Sequence, residues 1–409
     1  MNKFTVIVPT RERADTLFHT LRTCVAQDYE NFTILVSDNC STDNTEEVVR
    51  SFNDKRIRYI KTPGRLSMSA NWDFALDHVT DGYVNYIGDD DGIIYNSLTL
   101  INQMLAEYPV DAITSKDMAI YFWPDYVEDE IKGNLMISLR PTFKLMDTQA
   151  YFKKSFDACN CVHLPQLYHG YVNVEKLRQL KGNSRTFFNG SSPDIYSGVV
   201  LGHALKNHIF SDYPLTIHGL SHHSIGSSNA FSHIKKNPSE KFWSENTISF
   251  HEKLEKHSSI ILIYADAFLL ARNYFKDMPE VDIKNVIKLA LDDSDGFENI
   301  TKRDSLIEVL SGIAAKNNLE NYFRDILAKK SPVKKQAVPR SGYGFNPINE
   351  MMTVNTTDIG LKNVYDAFEF CKNTLPIKAY SQYDRPLNEP ILEYFKRGIM
   401  MLSKKIVKS

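Results

Sequence analysis

The first hundred residues alternate two hydrophobic rhythms. Short β-branched and aromatic runs, "FTVIVP" (4–9), "FTILVS" (32–37), "RIRYI" (56–60) and "YVNYIG" (83–88), are separated by stretches with helical spacing. Between the first two runs Leu17, Leu21, Cys24 and Val25 share one helix face, and between the last two Met68, Trp72, Ala75 and Val79 do the same. Strand, amphipathic helix, strand in repetition predicts βαβ units and a mostly parallel sheet over about residues 3–105. In "STDNTEEVV", Asp43 as N-cap with Glu46 three residues on reads as a capping box that starts a further helix.

Three of the four strands end in polar loops, "PTRER", "SDNCS" and "GDDDG". In an open parallel sheet the carboxyl ends of the strands form the rim where ligands bind. Asp89, Asp90 and Asp91 stand side by side on that rim, and like charges so close raise one another's pKa. A divalent cation such as Mg²⁺ or Mn²⁺, held by hard carboxylate oxygens, is one way to keep them ionised. A solvated acidic turn is the other.

From Lys116 to about Gly182 the periodicity weakens and aromatics crowd in, which predicts irregular structure shaped around an acceptor, with Tyr168 and His169 read as core or as acceptor contacts. "SSPDIYSG" puts Asp194 at the start of a helix after a turn, where an ordinary N-cap and a catalytic carboxylate are both open readings. Beyond about Phe231 the chain becomes helix-forming. The expected organisation is an α/β domain over 1–230, a helical domain over 231–330, a loop or linker over 331–357 with Pro332, Pro339 and Pro347, and a helical segment over 358–409. That segment ends in a basic amphipathic helix over 391–409, with Leu392, Phe395, Ile399, Leu402 and Ile406 opposite Lys396, Arg397, Lys404, Lys405 and Lys408. Its apolar stripe is suited to an anionic membrane surface, to the helical domain, or to a second copy of the chain in a homo-oligomer.

Composition narrows the partners. With 48 Lys plus Arg against 50 Asp plus Glu, the net charge of −2 provides no basic field for a polyanion, so nucleic acid is not expected. Five scattered cysteines argue against a disulfide framework and for a reducing compartment, and Cys159 with Cys161 read as two buried thiols. The first apolar run is too short for a signal-peptide core, and the apolar stretch 260–271 carries Asp266 and is shorter than a membrane span. A cytoplasmic protein, peripheral on the inner face of the membrane through 391–409, is the resulting expectation. Neither a G-x-G-x-x-G fingerprint nor a P-loop is present.

The ordered set "VIVPTRER", "VSDNCSTDNT", "PGRLSMSANWDFAL", "YIGDDDG" and "SPDIYSG", over roughly residues 3–226, resembles the family 2 glycosyltransferases of GT-A fold, of the bacterial surface-polysaccharide type. The resemblance implies a Rossmann-like sheet flanked by helices that binds a nucleoside diphosphate sugar, with UDP as the expected nucleotide. It also implies transfer of the sugar with inversion to a hydroxyl of a growing glycan or lipid-linked glycan. By position, Pro9, Thr10 and Arg11 would line the base and ribose pocket, Asp38 would bond the base, Arg65 would approach the phosphates and Asp89 the ribose. Asp90 and Asp91 would hold the metal, Asp194 would be the general base, and His222 or His223 would add a metal or phosphate ligand. The chain departs from the family pattern at Arg11 and Glu12, where many relatives have an aromatic residue and Asn, and at Gly88, where a common metal motif has Asp.

Two rivals remain open at this point. A sugar nucleotidyltransferase would more often carry a Gly-rich basic loop after the first strand, and "PTRERADT" has no glycine. A non-catalytic sugar-binding or assembly protein would be marked by loss of the aspartates or of the base, and both are present.

Overall fold

The computed structural model describes residues 1–115, 117–224, 243–296, 300–330, 344–346, 348–356, 360–376 and 378–381. Its first part runs β1 (Phe4–Thr10), α1 (Ala14–Val25), β2 (Phe32–Asp38), α2 (Thr45–Ser51), β3 (Ile57–Lys61), α3 (Met68–Leu76) and β4 (Tyr83–Tyr86). β1 pairs in parallel with β2 and β4, and β2 with β3, which is the alternation the hydrophobic rhythm predicts. Leu17, Leu21 and Cys24 of α1 and Trp72 and Ala75 of α3 are buried against opposite sheet faces, in separate cores. Such two-sided cover is why β1 and β2 are apolar almost throughout rather than alternating.

The expected capping box does not form. α2 starts after Asn44, and Glu46 pairs with Arg50 instead. The carboxylate of Asp43 accepts from the backbone N–H of Thr45 and, at 3.1 Å, from that of Ala14 at the first turn of α1. A neighbouring helix brings its own unsatisfied N–H into reach, and the tertiary contact takes the cap.

The chain continues through β5 (Gly92–Ile93), α4 (Ser97–Glu107), β6 (Ala112–Thr114), β7 (Ala119–Phe122), β8 (Asn134–Ser138), β9 (Thr142–Asp147), α5 (Thr148–Asp157), β10 (Gly170–Asn173), α6 (Val174–Lys181), α7 (Pro193–Ala204), β11 (Asn207–Ser211) and β12 (Thr216–Leu220). The stretch expected to be irregular therefore carries regular elements. Its strands are short and, apart from the antiparallel pair β7 and β8, their partners are distant in the chain, so little local rhythm announces them. Among the described residues the chain then has α8 (Ile260–Arg272), α9 (Ile283–Asp293), α10 (Ile300–Lys316) and α11 (Glu320–Ala328), then β13 (Gly344–Asn346), β14 (Met351–Asn355), α12 (Val364–Thr374) and β15 (Tyr380–Ser381).

Among the described residues one sheet has the order β15-β9-β11-β6-β10-β4-β1-β2-β3 and a second β13-β14-β8-β7-β12-β5. The helical region is not set apart from the sheet region. Leu262 and Leu269 of α8 join Val286, Ile287, Leu306 and Leu310 in a helical core, while Ile263, Ala267 and Phe268 of the same helix pack with Val199 and Val200 of α7. Residues 344–346 and 351–355, inside the expected linker, are strands, and β14 pairs with β8 from Met351↔Ser138 to Asn355↔Asn134. Met352, Val354, Val364 and Phe368 are buried in the core that contains Leu17 and Leu21. The expected basic helix over 391–409 lies outside the described residues. Among those described, no helix is long and apolar enough to cross a membrane.

Candidate active site

β1 and β2 end beside one another at Thr10↔Asp38, and β4 ends next to β1 and runs into the three aspartates. Each aspartate is held differently. Asp89 accepts from Thr10 Oγ1 at 2.7 Å and from Arg13 Nη1 at 2.9 Å. Asp90 Oδ2 accepts from the hydroxyls of Ser221 (2.6 Å) and Ser224 (2.9 Å), and its carbonyl accepts from Trp123 Nε1 at 3.0 Å. Asp91 accepts from Gly219 N at 2.7 Å on one oxygen, and from Gly88 N at 2.5 Å and the Tyr168 hydroxyl at 2.8 Å on the other.

Two glycines make this packing feasible. A Cβ on Gly219 would lie 1.8 Å from the carbonyl oxygen of Asp90, so β12 approaches the aspartates only without a side chain. A Cβ on Gly88 would lie 2.9 Å from Asp90 Oδ1 and 3.0 Å from Asp91 Oδ2. The departure from the familiar metal motif at Gly88 thus has a local steric reason in this chain.

All three carboxylates are buried. Burial first, then the charge of Asp90, pushes Asp91 up to about 7, against the pull of His218 and the N–H donors of Gly219 and Gly88. Asp89 is also raised by burial, with Arg13 opposing. Burial and the charges of Asp91 and Asp90 hold the Tyr168 hydroxyl well above its ordinary value. Beside Asp91, His169 Nε2 lies 3.4 Å from Oδ2 while its Nδ1 meets Thr216 Oγ1 at 2.9 Å, and His218 Nδ1 is 3.2 Å from Asp117 Oδ1. One ligand atom each from Asp91, His169 and His218 lies within 4.8 Å of the others. An anionic oxygen and two imidazoles in that span fit a divalent ion.

The remaining expected residues fall as follows. Pro9 is half-buried in β1. Asp38 is fully buried and accepts from Ser41 N at 2.8 Å and from the Tyr59 hydroxyl at 2.6 Å. Arg11 is ion-paired with Glu245, and Arg65 with Glu12. His222 Nδ1 is 2.6 Å from Asp125 Oδ2, and the His223 ring lies against His222 at 3.6 Å between centroids while its carbonyl accepts from Arg13 at 2.7 Å. The imidazoles gathered at Asp91 are therefore those of His169 and His218 rather than His222 and His223. Asp194 is the second residue of α7. Ser192 stands at the N-cap, and Asp194 Oδ1 accepts from the Ser192 hydroxyl at 3.0 Å.

Arg13 and the pair Ser221 and Ser224 were not among the expected site residues. Arg13 could have been noticed as the second arginine of "TRER", two residues after Arg11. Nothing local marks the serines.

Residues 5–161 match the family model described as Glycosyl transferase family 2. The GalNAc(5)-diNAcBac-PP-undecaprenol beta-1,3-glucosyltransferase of Campylobacter jejuni is 31% identical over 110 residues, 26% of this chain and 36% of its own length. The Escherichia coli UDP-Glc:alpha-D-GlcNAc-diphosphoundecaprenol beta-1,3-glucosyltransferase WfaP is 26% identical over 91 residues, 22% of this chain and 36% of its own. The chain thus spans about a third of the length of these curated relatives. The structure of S. aureus TarS 1–349 in complex with UDP-GlcNAc aligns with 80% of this chain and 92% of its own, at 15% identity and a TM-score of 0.43.

Proposed function

We propose, from the match of residues 5–161 to the model described as Glycosyl transferase family 2, that the chain is an inverting, metal-assisted glycosyltransferase. It moves a sugar from a nucleoside diphosphate, with uridine diphosphate as the nucleotide, to a hydroxyl of a growing lipid-linked glycan. The observation that carries this reading is the single rim on which Thr10, Asp38 and Asp89 to Asp91 converge. The names of the two relatives, both acting on undecaprenyl diphosphate-linked glycans, favour the lipid-linked acceptor.

Cleavage of the bond between the anomeric carbon and the phosphate leaves negative charge on the diphosphate, and this chain supplies guanidinium groups to meet it. Arg11 and Arg65 are paired with the carboxylates of Glu245 and Glu12, anions that a phosphate can replace. Arg13 is committed to Asp89, the carboxylate that would meet a ribose hydroxyl, and its charge opposes the burial that raises that group's pKa. Asp38, at the end of β2, faces the base, with Pro9 and Thr10 on the neighbouring strand. Asp91 with His169 and His218, and Asp90 beside them, would hold a divalent ion, and the imidazole nitrogens favour Mn²⁺ over the oxygen-seeking Mg²⁺. Such an ion, when bound, neutralises charge on the leaving diphosphate. Asp194 accepts the proton of the attacking hydroxyl, a contribution of about 10²- to 10⁴-fold.

The test is release of UDP from UDP-glucose with Mn²⁺ and an undecaprenyl diphosphate-linked glycan acceptor, monitored by a coupled assay. Binding of the nucleotide sugar without any release, across a panel of sugars and acceptors, would favour the non-catalytic sugar-binding reading instead.

A further inference from the structure

Helix α3 stands between the rim and the loop that leads into α7, whose second residue is Asp194, and it is tied to both. Towards β2, Ser37 Oγ donates to Asn71 Oδ1 at 2.9 Å, and the Asn39 amide exchanges two hydrogen bonds of 2.8 Å with the backbone of Leu66, just before the helix. Towards the loop, Asp73 Oδ1 accepts from Phe187 N at 2.6 Å, and Phe188 N lies 3.4 and 3.3 Å from the two carboxylate oxygens. Ser69 Oγ donates to the carbonyl of Gly190 at 2.7 Å. The Phe188 ring is buried edge-on against Trp72 and Tyr86, which stack on one another at 4.2 Å.

A buried carboxylate is costly unless it is hydrogen-bonded. Asp73 is 5% exposed, and its carboxylate is turned onto two successive backbone N–H groups of the loop that leads into α7. Neither group is a reactant, so the carboxylate acts on the loop and not on a ligand.

We infer that Asp73 is a positioning residue for Asp194: through Asp73 and Ser69, α3 sets the distance between the donor rim and the carboxylate that takes the acceptor's proton. The inference rests on the glycosyltransferase reading above. A displacement of the base by about 1 Å is enough to cost on the order of 10²-fold in rate, whereas donor binding, which uses the opposite side of α3, is left alone.

The experiment compares Asp73→Ala and Asp73→Asn in the wild-type and Asp194→Asn backgrounds of the full chain. Asp73→Ala is expected to lower kcat by about tenfold or more with the donor KM within about twofold. Asp73→Asn, which keeps an acceptor oxygen for Phe187 N, recovers most of that loss. In the Asp194→Asn background Asp73→Ala costs nothing further, because the base it positions is gone. An equal loss in both backgrounds, or an unchanged kcat, overturns the inference. Amide exchange over residues 184–196 supplies a second arm that needs no turnover: faster exchange at Phe187 and Phe188 in Asp73→Ala is expected, and unchanged exchange overturns the inference even if activity falls. A wild-type chain that turns over no nucleotide sugar refutes the proposed function instead, and the exchange arm still decides whether Asp73 holds the loop.

Discussion

Asp266 lies in the middle of α8, 1% exposed, on the helix that joins the two cores. Its Oδ1 accepts from His251 N at 2.7 Å, and its buried Oδ2 has no hydrogen-bond partner among the described residues. Burial pushes its pKa from 3.8 up to about 7, with the His251 N–H opposing. The folded chain therefore holds this proton more tightly than the unfolded one. The penalty for ionising it is absent below about pH 4, grows between about pH 4 and pH 7, and is complete above that window. At about 1.4 kcal/mol per unit, a shift of roughly three units gives a penalty of about 4 kcal/mol at pH 8, of which about 2 kcal/mol develops between pH 5.5 and pH 8. Asp266→Asn keeps the oxygen that faces His251 and cannot ionise. Urea unfolding of both proteins at the two pH values should show the variant gaining about 2 kcal/mol on the wild type from pH 5.5 to pH 8. A stability difference that is the same at both pH values would show that Asp266 does not titrate in this window, and the burial argument would fall.

Asp194→Asn should leave nucleotide-sugar binding intact while turnover drops by about 10² or more, and near-normal turnover with a competent acceptor would remove Asp194 as the base. Both Asp91→Asn and His218→Ala should weaken the Mn²⁺-dependent part of donor affinity by calorimetry, whereas His222→Ala, whose ring faces Asp125, should not; the reverse order would move the ion to the other histidine. Gly219→Ala places a methyl group where the carbonyl of Asp90 lies, an overpacking cost of about 1–3 kcal/mol. A lowered melting temperature together with lost metal dependence is expected, and wild-type values for both would mean β12 can move aside freely. A chain stopped after Lys330 lacks Met352, Val354, Val364 and Phe368, each worth about 1.5–3 kcal/mol of burial, a sum comparable to the stability of a whole domain. Such a chain should aggregate or bind apolar dyes at room temperature, and a soluble product with an unchanged melting temperature would contradict the packing described above.

The alternation from β1 to β4 was legible because its cause is local. Period-2 and period-3.6 hydrophobic spacing, with polar residues at the strand ends, is enough to lay α1 and α3 on the sheet and to bring Thr10, Asp38 and the three aspartates to one rim. The hydroxyls and imidazoles around those aspartates were not legible in that way. His169 and His218 reach Asp91 because β10 runs antiparallel beside β4, and because β12 pairs with β5 at Thr216↔Ile93 and with β7 at His218↔Ile120. Nothing in "HLPQLYHGYV" or "IHGLSHHS" states those registers. The cap at Asp43 and the strands at 344–346 and 351–355 follow the same logic. The donor N–H that claims Asp43 comes from α1, and the partner that makes a strand of Met351–Asn355 is β8, far away in the chain. Residue type and spacing determine which elements can form and which side chains have the chemistry to act. Pairing between distant segments, whose free energy comes from burial and from backbone hydrogen bonds that no local stretch contains, decides which of those side chains meet.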